Sequence, residues 1–146
     1  MRAGARALCR RQLFSGGAYY FSTLGAAQFC FLLAQAAAEG EEVLVTEESH
    51  APLAELLRTP AASLAQGALA GRLRESLAGA ALRRGDMYLA TVRRFTPASR
   101  ELSEQFSQHD GAPTSADNLT WSYACFVTAL AARRRAVQAM QTARES

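Results

Sequence analysis

Residues 101–124 read ELSEQFSQHDGAPTSADNLTWSYA. The stretch leaves one helix-like region, passes through a turn and enters another. Leu102 to Phe106 looks short and extended, and His109 to Thr114 carries turn chemistry around Gly111 and Pro113. Ser115 then offers a cap for a last helix, with Asp117 near its positive end. Leu119, Tyr123, Phe126 and Leu130 make a narrow apolar stripe. At about 100° per residue, Trp121 falls opposite it with Cys125 and Thr128. This helix is therefore expected to have two faces turned away from solvent.

Upstream, Tyr20, Leu24, Ala27 and Phe31 recur at helical spacing, and Phe21, Phe29 and Leu32 add a second apolar side. A helix that is apolar nearly all round belongs inside a larger packed body. Gly40 is its expected C-cap. Thr46 to Arg58 predicts a short helix capped by Thr46, with Glu47 and Glu48 at its positive end and Pro52 near the first turn. A longer amphipathic helix is expected from about Leu69 to Phe95, with Leu73, Leu77, Ala81, Tyr88 and Val92 on one face. Gly79 and Gly85 lie inside it, which predicts a bend or close packing. The one strand candidate is Glu42 to Thr46. The expectation is an all-α chain with long connections.

The 146 residues suit one domain, and 49% hydrophobic with 20% charged residues excludes wholesale disorder. The net charge is +3 and the pI near 9.1. All 16 basic residues are arginine, a compositional bias rather than a nucleic-acid signal, so no nucleic-acid partner is expected. Arg133-Arg134-Arg135 reads as a solvated helix end. Cys9, Cys30 and Cys125 are odd in number and widely spaced, which argues against a disulfide framework and against zinc. Four arginines and no acid precede Glu39. That pattern is targeting-like, but Gln28 and Gln35 break the apolar run and its Phe29–Leu33 burst is too short to span a bilayer. No membrane partner is expected, and the compartment is not fixed.

Glu104 is the residue to weigh for chemistry, since a loop carboxylate beside Phe106 can act as a general base; on spacing alone the solvated-glutamate reading prevails. Glu101 lies three residues earlier. Asp110 reads as a turn support, and Ser103, His109 and Asp110 lack the motif of a nucleophilic triad. His50 reads as an exposed residue at a helix start. Asn118-Leu119-Thr120 matches a glycosylation sequon but falls inside the expected helix. Trp121 taken alone reads as a core residue, with a surface for stacking a sugar ring as the other reading.

Taken together, LSEQF, the Gly-Pro turn, PTSADNLTWSYACFVTALAARRR and the earlier SGGAYYFSTLGAAQF resemble the C-terminal part of a glucoamylase catalytic domain, glycoside hydrolase family 15. The resemblance covers about Ser15 to Arg135. It implies the last few helices of an (α/α)6 toroid and an inverting, exo-acting glucosidase that takes α-glucans or maltooligosaccharides. It implies Glu104 as the general base, and Trp121 with Tyr19 as sugar-binding aromatics. It calls for no metal and no organic cofactor. The family's partner acid lies in a Trp-Glu-Glu-like segment with no counterpart here, so the chain alone is expected to be inactive. The family's GRYPED-like run meets RALCRR, with Ala7 at the arginine position. Residues 1–14 are accordingly read as non-family sequence, 15–136 as the catalytic-domain part and 137–146 as a tail. The alternative reading is a small helical interaction protein with a targeting-like N-terminus.

Overall fold

The computed structural model describes residues 17–145. The expectations attached to residues 1–16, Cys9 and the RALCRR run among them, lie outside the described residues. Four α-helices dominate: α1 (Tyr20–Glu39), α2 (Glu47–Leu57), α3 (Gly71–Phe95) and α4 (Thr120–Glu145). Five two-residue strands join them: β1 (Ala18–Tyr19), β2 (Leu44–Val45), β3 (Gly67–Ala68), β4 (Gln105–Phe106) and β5 (Pro113–Thr114). Antiparallel β1-β4-β5 forms one small sheet and β2-β3 the other.

The central helix is α1, packed between α3 and α4. Its buried residues are Tyr20, Leu24, Ala27, Cys30, Phe31, Ala34 and Ala37. By length and composition α1 could cross a membrane, because the helix runs well past the Phe29–Leu33 burst. Here one side of it is core. Phe31 shows why α1 and α3 come close. Its ring lies where a side chain at Gly85 would be, 2.4 Å from an ideal Cβ, so the internal glycine of α3 serves close packing.

The helix ends follow from local chemistry. Gly40 closes α1 at φ 85°, a left-handed cap that glycine adopts without a Cβ penalty. Thr46 caps α2 in a reciprocal capping box with Ser49, and Glu47 and Glu48 occupy the first turn. The Thr46 hydroxyl also donates to Glu48 at 2.7 Å, which holds that carboxyl below the usual range.

Several expectations need correction. The last helix begins at Thr120, not at Ser115. Ser115 and Asn118 have φ of 65° and 51°, and a left-handed residue cannot continue a helix. The buried face of α4 is Ser122, Ala129, Ala132 and Ala136, with Cys125 packed beside it. Tyr123, Phe126 and Leu130 instead line a cleft of about 550 Å³ with Leu89, Val92 and Leu102. Small residues win the core face because α4 lies close against Ala27 and Ala34 of α1; a bulky stripe would hold the helices apart. Arg133 is mid-helix and paired with Asp86, at 2.6 and 3.1 Å. His50 is half-buried, and its Nε2 lies 2.8 Å from the Leu64 carbonyl. The sequence pattern does not foresee β1, β3 and β5; β4 falls within the extended segment Leu102 to Phe106, and β2 within the one predicted strand. Residues 137–145 continue α4.

Candidate functional site

The site forms at the N-terminal end of α1. There α3 ends, α4 begins and the three-stranded sheet closes the gap. Tyr19 pairs with Gln105 and Ala18 with Phe106; on the other side Gln105 pairs with Thr114. The approach of the first strand depends on Gly17, where a Cβ would stand 2.9 Å from the Phe106 carbonyl oxygen and 3.0 Å from the Gln105 side chain.

Glu104 sits immediately before β4 and its backbone is held from both sides. Its N–H donates to the Ala116 carbonyl at 2.7 Å, and its carbonyl accepts the Tyr20 N–H at 3.2 Å. The neighbours Ser103, Gln105 and Phe106 are buried, while Glu104 itself is half-buried. Its carboxylate accepts a hydrogen bond at Oε2 from the Ser115 hydroxyl. Ser115 can reach it because its left-handed backbone turns the buried side chain inward. A charge-assisted bond of this kind fixes the orientation of a carboxylate.

A second tie comes from α4. The Ser122 hydroxyl, fully buried, donates to the Ser103 carbonyl at 2.9 Å. It pins the first turn of α4, and with it Trp121, to the segment that carries Glu104. The Tyr123 hydroxyl accepts the Leu102 N–H at 3.0 Å and reinforces the same junction. Beneath it, Phe106 stacks on Phe95 with centroids 4.6 Å apart and meets Tyr20 at 4.8 Å. The Tyr20 hydroxyl donates to the Phe95 carbonyl, and burial raises the phenol above its usual range.

Trp121 is 68% exposed and so not the core residue its position alone suggests. Its indole meets Phe21 edge-to-face at 6.0 Å, and Phe21 meets Tyr19 at 5.1 Å. The structure thus joins Tyr19 and Trp121 through Phe21, a residue whose role the sequence pattern assigned only to packing. Ser115 and Ser122 were also missed. One carries a backbone angle with no sequence signature, and the other is a serine at a helical core position.

His109 and Asp110 are exposed in the β4–β5 turn, while the Ser103 hydroxyl donates to the Gln105 carbonyl at 2.6 Å, so these three do not form a triad. Asp110 accepts the Ala112 N–H at 3.0 Å and supports the turn as expected. That bond and the Ser107 hydroxyl hold its carboxyl below the usual range. Among the described residues no group of three or more His, Cys, Asp or Glu side chains could hold a metal ion.

The profile of glycosyl hydrolases family 15 matches residues 12–131. The chain belongs to this family. It is 32% identical over 120 residues to the glucoamylase of Neurospora crassa, across 82% of this chain and 19% of that protein. Glucoamylase P of Amorphotheca resinae is 47% identical over 53 residues, 36% of this chain. Among solved structures, the family 15 glucoamylase of Hypocrea jecorina aligns at a TM-score of 0.72 and 29% identity, over 81% of this chain and 19% of that one. Hormoconis resinae glucoamylase aligns at 0.69 and 28%, over 86% and 21%. The chain therefore spans about a fifth of the length of the glucoamylases it matches along most of itself. Its helices correspond to part of the (α/α)6 toroid of family 15.

Proposed function

We propose that this chain supplies the base side of an inverting, exo-acting glucan 1,4-α-glucosidase that releases β-glucose from the non-reducing ends of starch-like glucans. Glu104 is the general base. One carboxylate oxygen is occupied by the Ser115 hydroxyl, which orients the other to take a proton from water as that water attacks the anomeric carbon. Trp121 and Tyr19 present ring faces to the apolar C–H surface of a glucose unit, with Phe21 between them as a support. The substrate is an α-glucan or maltooligosaccharide, and the reaction calls for no metal or organic cofactor.

The observation that carries this reading is the convergence of an oriented carboxylate and an aromatic wall at one end of α1, in a family 15 fold. Inversion needs a second carboxyl roughly 6.5–9.5 Å from the base, to leave space for water. That acid comes from the larger share of the domain, which this chain does not span. The chain alone is accordingly expected to release no glucose.

The test joins the chain to the remainder of a family 15 domain and measures glucose release from maltotriose. Glu104→Gln is expected to lower kcat by about 10²–10⁴-fold, the usual contribution of a general base, with KM little changed. Trp121→Ala is expected to act mainly on KM. Unchanged kcat in Glu104→Gln would refute the assignment.

A further inference from the structure

We propose that Asn118 is an acceptor for N-linked glycan, a modification site on the rim of the junction between β5 and α4. The sequon Asn118-Leu119-Thr120 would be a poor acceptor if it lay within a helix, its amide crowded by the neighbouring turns. The structure places it before α4, with Asn118 at φ 51° in an exposed turn and Thr120 exposed as the first helical residue. Asparagine tolerates this left-handed angle better than other residues bearing a Cβ.

The side chain is also oriented. The Tyr123 hydroxyl accepts the Leu102 N–H at 3.0 Å and directs its own proton to Asn118 Oδ1 at 2.7 Å. The amide oxygen is thus the bound end. Nδ2, the atom that carries the sugar, is the other end of the amide. A cleft of about 200 Å³ lined by Asn118, Pro97, Ser99 and Glu101 lies alongside. In the transfer, Nδ2 forms a C–N bond with the anomeric carbon of N-acetylglucosamine on a polyprenyl-diphosphate oligosaccharide. The polyprenyl diphosphate leaves and the amide gives up one proton.

The full chain would be routed through the secretory lumen of yeast behind a cleavable leader. Endoglycosidase treatment is expected to shift it by one discrete gel step, and Asn118→Gln and Thr120→Ala are each expected to abolish that shift. Thr120→Ser keeps the acceptor motif and is expected to retain it. Peptide:N-glycosidase should convert Asn118 to aspartate, read by mass spectrometry. The proposal is overturned if the chain migrates identically with and without the enzyme, or if the shift survives Asn118→Gln. It is equally overturned if the glycosylated chain is degraded while Asn118→Gln accumulates, because the fold would then not accommodate the sugar.

Discussion

Replacing Ser122 by alanine isolates the tie that seats α4 on the Glu104 segment. The Ser122 hydroxyl is fully buried and donates to the Ser103 carbonyl at 2.9 Å. Truncation removes the donor and leaves that carbonyl without its α4 partner, at a residue only 3% exposed. Stranding a buried polar group costs about 1–3 kcal/mol. The gain from alanine's helix propensity, at most about 0.5 kcal/mol, offsets little of it in the first turn of α4. A net loss of about 1–2 kcal/mol is expected. Urea unfolding of the chain would be followed twice, by far-UV circular dichroism and by fluorescence of Trp121, which adjoins Ser122 and is the only tryptophan. The midpoint should fall in both signals with the slope unchanged, the signature of altered stability rather than altered compactness. The control is Ser76→Ala on the exposed side of α3, expected to stay within about 0.5 kcal/mol of the parent. If Ser122→Ala unfolds no earlier than Ser76→Ala, the hydroxyl does not hold the junction, and the structural link between Trp121 and Glu104 fails with it.

Two glycines in helices should respond oppositely to alanine. At Gly25 an added Cβ meets nothing within 4 Å, so helix propensity alone should raise stability by up to about 1 kcal/mol. At Gly85 the Cβ would sit 2.4 Å from the fully buried Phe31 ring, and overpacking of about 1–3 kcal/mol should outweigh that gain; urea midpoints that move in the same direction would contradict this packing. For Tyr20, burial raises the phenol above its unfolded value, so the neutral form is favoured in the folded chain. That stabilisation is complete below the ordinary phenol range near pH 10 and is lost as pH rises through the raised folded value. Tyr20→Phe, which removes the bond to the Phe95 carbonyl, should be about 1 kcal/mol less stable at pH 7. The gap should close in alkaline thermal melts; a gap that widens above pH 10 would refute the assignment.

Legibility in the sequence tracked how locally each feature is determined. Thr46 with Ser49, Glu47 and Glu48 marked the start of α2 because a cap is a matter of adjacent residues. Gly40 marked the end of α1 for the same reason. The extended segment around Glu104 was legible, but its pairing with Tyr19 was not. Two-residue strands carry no period, and β1 and β4 lie more than eighty residues apart. The face of α4 was misread because hydrophobicity favours Tyr123, Phe126 and Leu130, whereas distance to α1 favours Ser122, Ala129, Ala132 and Ala136. Glu104, Trp121 and Tyr19 enter the proposed site through a family resemblance. The hydroxyls that hold the first two in place do not, since Ser115 depends on a left-handed backbone angle and Ser122 on a tertiary partner.

The direction of the helices explains why the site lies where it does. Tyr20 at the start of α1 reaches Phe95 at the end of α3, so these two helices run antiparallel. Ser122 at the start of α4 reaches Ser103 beside the same end, and Thr128 of α4 bonds Gln28 of α1 at 3.0 Å, so α1 and α4 run parallel. The N-termini of α1 and α4 thus lie side by side. The first N–H groups of a helix lack intrahelical partners and carry partial positive charge. At the start of α1, the Tyr20 N–H is taken by the Glu104 carbonyl. The Glu104 carboxylate at that end accepts the Ser115 hydroxyl. The aromatic residues Tyr19, Phe21 and Trp121 gather there for the same reason, each sitting at or within one turn of the start of one of these two parallel helices.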